Sequence, residues 1–480
     1  MNLERLHTRE EISSQIQTKD IIITPDNNLV EFDNLNLSER QKTLAKYNLV
    51  FEEKKSEGEK KLSTELTKKM VEMEWLDFER SSGKGHFRFY PKGAIVHSIL
   101  ENMLNSFAQN DLDVIPVISP IVLGWEDDQI KKEAGSFNKN IYHIRPESDS
   151  KAPEQILRYA CNPGIFKIMQ DANLTETQLP VRVYEAGTLF RSNKPGERLN
   201  IQRADSFFLH SIFSFCKNDI SIGLEEFIYM HNSFSQFLSK LELEYSHKFE
   251  INDLFFNKYR DQIVSILKFD NKPALISLSS GKRNYYEIKS DHVIDNEFES
   301  FNLQLDNENA TTYDVGYNLE VGDQQEKKPC TIIHSSLSSI ERWMLILLNK
   351  SLKKSPQELP LWLAPIQIRI IPLDKKYTDF LMDVAKGLNA QGIRADIDDQ
   401  NGKINSKIKR ANNDLIPYTF LWGLNENNDQ IIRLRARNGT LTLCDLKDLP
   451  NFIKSKIEPC GLNLNYHPHL PIIVSKSLSF

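Results

Sequence analysis

The sequence predicts a two-domain α/β chain: an α+β domain on an antiparallel sheet flanked by helices, followed by a smaller α/β domain. Three observations predict it. At 480 residues the chain exceeds one ordinary core and fits two or three. Through most of its length, strand-like segments follow one another with few β-α-β units between them. Beyond about residue 355, strands and helices alternate across short loops.

Residues 1–75 are polar and charge-rich, and FEEKKSEGEKKLSTELTKKMVEMEW carries a narrow apolar stripe, so this part reads as an N-terminal helical extension. In PKGAIVHSILENMLNSFAQN, Ile95, Ile99, Leu100, Leu104 and Phe107 recur at helical spacing. DVIPVISPIVL, broken by Pro116 and Pro120, reads as extended. VRVYEAGTLFRS and SFFLHSIFSFC are two buried strands joined by the turn-prone NKPGERLNIQRA. The helix EEFIYMHNSFSQFLSKLELEY follows, then antiparallel strands in NYYEIKSDHVI, FESFNLQLD and TTYDVGYNLEV, and the helix SSIERWMLILLNKSL closes the domain. Its span is 76–355. Past the proline-bearing linker SLKKSPQELP, residues 356–480 form the second domain, with strands in IQIRIIPL, IRADID, YTFLWGL and DQIIRLRAR and helices in TDFLMDVAKGLNAQG, INSKIKRANND and DLPNFIKSK.

Composition excludes several classes. Cys161, Cys216, Cys330, Cys444 and Cys460 are scattered with no C-x-x-C pair, which speaks against a disulfide framework or zinc ribbon and suits a reducing compartment. MNLERLHTREE has no apolar stretch of the secretory kind, and no run approaches the ~20 apolar residues of a membrane span. The expected location is cytoplasmic. From Glu358 onward, 16 Lys and Arg face 13 Asp and Glu, whereas 44 face 53 before it. A polyanion is therefore drawn to the second domain.

No Walker loop, G-x-G-x-x-G, H-E-x-x-H or G-x-S-x-G occurs, so a nucleotide site here needs strand-borne arginines instead of a glycine cradle. Six segments in fixed order fit that solution. FYPKG (89–93) with Pro120, YEAGTLFRSN followed by RADSFF, and SSLSSIERWMLIL resemble the three signature motifs of class II aminoacyl-tRNA synthetases. LRYACNPGIF and NLQLD are similar to substrate-pocket segments of archaeal-type threonyl-tRNA synthetases that lack an editing domain. PLWLAPIQIRIIP, with GIRADIDD and KINSKIKRA, is similar to their anticodon-binding domain.

The resemblance implies an ATP-dependent aminoacyl-tRNA ligase, nominally threonine-specific, that forms an aminoacyl-adenylate and charges tRNA as a homodimer. It also implies the class II antiparallel sheet, ATP with Mg2+, and three phosphate-binding catalytic residues, Arg191, Arg203 and Arg342. Guanidiniums suit the task because they stay charged and grip phosphate with two N–H groups. Phe207 is expected against adenine, Asn193 at the adenine amino group, and Gln304 on substrate or ATP. Lys403, Lys407, Arg410, Arg433, Arg435 and Arg437 are expected on tRNA phosphates.

Three departures leave alternatives open. Asn193 replaces the family's glutamate, and Ser336–Ser339 replace a glycine-rich approach. The family's zinc ligands, one cysteine and two histidines, align without gaps to Asn162, Phe213 and Ile333, and two of those cannot ligate. No metal is therefore assigned; Cys161, His210 and His334 are the nearest donors for a displaced zinc. The alternatives are a paralogue activating another small amino acid, or a non-catalytic RNA-binding or regulatory protein.

Overall fold

The structure is a computed structural model describing residues 16–31, 35–49, 55–135, 140–146, 152–282, 284–321, 324–457 and 470–478. The chain divides into two compact units, one of residues 1–60, 107–198 and 204–342, the other of 61–106, 199–203 and 343–480.

The first unit is built on a ten-stranded sheet. Its strands are β1 (Thr18–Ile23), β2 (Leu29–Glu31), β3 (Ile115–Pro116), β4 (Val181–Phe190), β5 (Ser206–Cys216), β6 (Tyr245–Asn252), β7 (Ala274–Ser279), β8 (Tyr286–Ile294), β9 (Phe298–Asp306) and β10 (Thr331–Ser339). Their spatial order is β2-β1-β7-β6-β8-β9-β10-β5-β4-β3, antiparallel except at β6–β7 and β3–β4. The expected class of sheet is present.

Two corrections concern its margin. The N-terminal extension is not only helical: β1 and β2 form a hairpin, and β1 pairs with β7 along its whole length, Thr18 opposite Ser279. Ile21, Ile22 and Ile23 are buried there, and closing a sheet edge over them outweighs the polar character of the segment. Residues 1–15, 32–34 and 50–54 of the extension lie outside the described residues. β6 and β7 are parallel, joined by the helix Asp253–Asp270, a crossover unit that the sequence reading left unassigned. Of TTYDVGYNLEV, only Gly316–Val321 is a strand, and it belongs to a separate three-stranded sheet.

Local chemistry starts and stops the helices. α1 (Pro91–Asp111) opens on a proline, whose missing N–H costs nothing at a first turn. Its Gly93 sits against the Trp75 carbonyl: a Cβ there would lie 1.8 Å from that oxygen, so only glycine fits. α2 (Ile220–Lys240) is capped by the Asp219 carboxylate, which accepts from the Ser221 and Ile222 N–H groups. α3 (Asp253–Asp270) is capped by Asn252 and ends on Asn271 in the left-handed conformation. Burial alternates strictly along β6, with Tyr245, His247, Phe249 and Ile251 enclosed. The intervening Lys248 and Glu250 stand on the other face, beside Asp291 and Lys289 of β8. Over β6 and β8, one face of the sheet is apolar and the other polar.

In the second unit, β11 (Ile368–Pro372), β12 (Ala395–Ile397), β13 (Tyr418–Trp422), β14 (Ile431–Ala436) and β15 (Leu441–Asp445) form a sheet of order β12-β11-β13-β14-β15. Its core joins Ile368, Ile370, Phe420, Trp422, Ile432 and Leu434 to residues of the helix Thr378–Ala390. No helix of the described residues is long and apolar enough to cross a membrane.

Candidate active site

At one end of the sheet, β4 delivers Arg191, β5 begins one residue before Phe207, and β10 leads into α4 (Ile340–Lys353), which carries Arg342. The Arg191 guanidinium lies over the Phe207 ring, 5.2 Å from its centroid, and its Nε donates to the Tyr159 carbonyl at 3.1 Å. The next residue, Phe208, donates its N–H to the Glu341 carboxylate at 3.0 Å. Glu341 immediately precedes Arg342. Arg191 and Arg342 are therefore tied to one strand end through two neighbouring phenylalanines. Arg342 Nη1 donates to the Glu299 carbonyl at 2.8 Å, while its Nε is buried with no hydrogen-bond partner. A buried charged donor without an acceptor is costly unless a ligand completes it. Arg203 is exposed at the end of the short helical turn Asn200–Gln202.

The serine-rich approach keeps the backbone that glycine favours. Ser338 has φ of +67°, and the β5–β10 register slips there: Leu209 faces Ser339, but Ser211 faces Ser336. The extra residue is a bulge, which turns the chain toward α4.

Asn193, expected at the adenine amino group, is buried, and its side-chain nitrogen is engaged within its own loop. Its side-chain amide donates to Asp205 Oδ1 at 2.9 Å and to the Ala204 carbonyl at 3.1 Å. The buried Asp205 also receives Arg198, at 2.6 Å.

The residues expected at the amino acid share the face of the sheet on which Lys248 and Glu250 stand. Residues directly opposite in antiparallel strands share a face, and Gln304, His334 and Phe213 form one such row across β9, β10 and β5. His334, one residue from the position that the ungapped alignment gives for the family's ligand, occupies this row. His334 Nε2 lies 2.8 Å from Asp306 Oδ2, and Asn162 Nδ2 lies 3.4 Å from His334 Nδ1. Gln304 donates to Asn302 Oδ1 at 3.0 Å and accepts from the Tyr285 hydroxyl. Burial alone would raise the Asp306 carboxyl, but the hydrogen bond and charge of His334 bring it below its ordinary value.

Cys161, His210 and His334 do not gather into one set of donors for a displaced zinc. His210 pairs with Ala186 on the opposite face of β5 from Phe213, with its Nδ1 against the Tyr184 hydroxyl. Burial pushes the Cys161 thiol up to about 12. The residues at this pocket do not fit the family's zinc.

The same pocket holds a prediction about pH. The Glu133 carboxyl, bonded by Tyr313, is pushed up to about 7 by burial, as is Glu341 beside Phe208. In the unfolded chain each ionises near 4.5, so between about pH 4.5 and 7 the folded state binds more protons and stability falls as pH rises. Glu133→Gln should remove its share, making the protein more stable at pH 8 by about 3 kcal/mol at most. Urea unfolding at pH 5 and pH 8 tests this. An unchanged difference between the two pH values would mean that Glu133 is ionised in the folded protein.

In the second unit, α5 (Ile404–Asn413) separates the expected phosphate contacts. Lys403 caps it and is exposed, but Lys407 is buried, its ammonium donating to the Asp398 carbonyl at 2.7 Å. Lys407 thus serves the interior, a correction to its expected role. Arg410 is forked onto the Asp398 carboxylate at 2.9 and 3.0 Å. Arg433 and Arg435 are exposed along β14. Arg437 lies past the strand end and donates to the carbonyls of Gln357 and Asn412.

Residues 367–456 match the family model described as an anticodon binding domain. The chain is 32% identical over 479 residues to the threonine–tRNA ligase of Thermococcus sibiricus, covering 96% of this chain and 73% of that one. It is 31% identical over 476 residues to the threonine–tRNA ligase of Pyrococcus horikoshii, with the same coverages. Among solved structures, a threonyl-tRNA synthetase domain from Cryptosporidium parvum, titled as RNA binding, superposes with a TM-score of 0.70 at 20% identity, over 82% of this chain and 98% of that one. Prolyl-tRNA synthetase from the same organism, with L-proline and AMP, gives 0.61 at 13% identity over 82% and 74%.

Proposed function

The chain belongs to the threonine–tRNA ligase family of class II aminoacyl-tRNA synthetases, and from that premise we propose that it activates an amino acid with ATP at the end of β4, β5 and β10. Activation joins the amino-acid carboxylate to the α-phosphorus of ATP and expels pyrophosphate, gathering negative charge as it proceeds. Fixed guanidiniums meet that charge without reorganising. The observation that carries the reading is the buried, unpartnered Nε of Arg342, anchored through the neighbouring Glu341 to the strand that holds Phe207 under Arg191.

Arg191 takes the α-phosphate and the carboxylate, while Arg342 and Arg203 take the terminal phosphates. Adenine stacks at Phe207, and Gln304 orients the amino acid from its strand. A divalent cation on the ATP phosphates supplies further neutralisation. The adenylate then passes its acyl group to the terminal ribose of a tRNA, held by the second unit through exposed Lys403, Arg433 and Arg435. The working form is a homodimer: β3 and the residues that follow it leave Ile115, Ile118 (92% exposed), Ile121 and Val122 exposed, an apolar run suited to a second copy.

A specific observation favours a second reading of the substrate. Phe213 and Asn162 stand where the family holds zinc, and His334 is committed to Asp306. Recognition of a hydroxyl and an amine by a metal is replaced by hydrogen bonds, which suits either threonine held differently or another small amino acid. Amino-acid-dependent exchange of pyrophosphate into ATP, run with each of the twenty amino acids, tests both. Exchange with threonine alone supports the family's substrate, and exchange with another supports the second reading. No exchange with any of them sinks the catalytic proposal.

A further inference from the structure

The apolar face of the sheet, opposite the candidate active site, encloses three histidines. His247 on β6 and His292 on β8 are paired directly across the two strands, and His231 of α2 lies over both. Its ring centroid is 4.2 Å from that of His292 and 4.9 Å from that of His247. All three are fully buried. Taking one nitrogen from each, the three donors lie within 4.8 Å of one another, the one such group among the described residues.

The outer hydrogen bonds decide which nitrogens point inward. His247 Nε2 lies 2.8 Å from Asp270 Oδ2, a carboxylate oxygen that also accepts from the Tyr245 hydroxyl at 2.8 Å. His292 Nε2 lies 3.0 Å from the Ser235 hydroxyl. The Nδ1 atoms of both rings, and both nitrogens of His231, are buried with no hydrogen-bond partner. Four such nitrogens in one place are unusual in a folded protein, where buried polar groups find partners. Each neutral imidazole carries its proton on one nitrogen and a lone pair on the other, so each of the three rings has one lone pair to offer a cation. A carboxylate behind one ring, as Asp270 stands behind His247, is the outer support that metal-bound histidines usually have.

We propose that His231, His247 and His292 form a binding site for a divalent first-row transition cation, zinc above all, that ties α2 to β6 and β8. Imidazole donors exclude magnesium and calcium as occupants and suit zinc, cobalt, nickel and copper. Zn–N bonds of about 2.0–2.1 Å set the nitrogens of a tetrahedral site roughly 3.4 Å apart, so the rings close slightly as the metal enters. Phe227 and Phe249 stack on His231, so the centre is sheltered from solvent, and the bound ion is structural. It lies on the face of the sheet opposite His334 and does not depend on the aminoacylation reading.

The test uses the untagged full chain, stripped with a chelator and titrated with Co2+, whose visible absorption reports a site of four or five ligands. One Co2+ per chain should bind, and Zn2+ should raise the melting temperature of the stripped protein by several degrees. His231→Leu should abolish both effects while the stripped variant melts no lower than the stripped parent, because leucine fills an apolar space and removes two unpartnered nitrogens. Asp270→Asn, which leaves every ligand in place, should weaken Co2+ binding about tenfold to a hundredfold, an independent check should the leucine variant not fold. The Cys161→Ser, His334→Asn double variant should keep the Co2+ spectrum. No Co2+ bound at sub-millimolar concentration by the folded parent overturns the proposal. So does a spectrum that survives His231→Leu or disappears only in the double variant.

Discussion

Glu185→Ala should destabilise the first unit by about 3–5 kcal/mol, because it strands a buried guanidinium. Glu185 and Arg158 are about 1% and 4% exposed and meet at 2.8 Å. Glu185 also accepts from the Ser119 N–H at 2.7 Å and from the Ser119 hydroxyl. Arg158 is hemmed in as well: a Cβ on Gly187 would lie 1.9 Å from its Nη2, and its Nε is held by the Thr188 carbonyl. Without its carboxylate the arginine has no route to water. Removing both charges together, as Arg158→Met with Glu185→Leu, should recover much of the loss, since an apolar pair of similar volume leaves no orphan charge. Urea midpoints of the three variants decide it. A single-variant loss below about 1 kcal/mol would mean that water reaches the pair, as at a surface ion pair.

Arg191→Ala should lower the rate of amino-acid-dependent pyrophosphate exchange at least about tenfold, and by up to about 10²–10³ if the contact tightens as charge develops. Arg191→Lys should recover little, because an ammonium cannot make the two-pronged contact with phosphate. The stability cost should be small by comparison, since the side chain is only half-buried and its contacts include the Tyr159 carbonyl and the Phe207 ring. A melting temperature close to that of the parent, with exchange lost, separates catalysis from folding. If the alanine variant exchanges pyrophosphate as fast as the parent, Arg191 does not touch the reacting phosphate.

The parts of this molecule legible in its sequence were those set by short-range pattern. β4 and β5 were legible because two segments rich in β-branched and aromatic residues flank a polar, turn-prone stretch, and α4 because its apolar residues recur at helical spacing. What pattern could not show was which distant segment each element meets. β1 has no alternation and sits in a charge-rich stretch; its partner, β7, supplies the reason it is a strand. Lys407 has the spacing of a solvated helix face, yet Asp398, nine residues earlier, draws it inward. That His334 shares a row with Gln304 and Phe213 is set by the pairing of β10 with β9 and β5, which no local pattern shows. His231, His247 and His292 share no local spacing, and only the pairing of β6 with β8 under α2 brings them together.

The hairpin at the margin of the large sheet also sets a schedule for synthesis. Thr18 pairs with Ser279, 261 residues later in the chain. At roughly 5–20 residues per second, the ribosome delivers β1 about 13 to 50 seconds before its partner strand exists. During that interval Ile21, Ile22 and Ile23 have no sheet to enter, and Lys19 and Asp20 are the charges beside them that discourage premature pairing with other nascent chains. The first strand made is among the last placed, so completion of the ten-stranded sheet waits on the translation of β7.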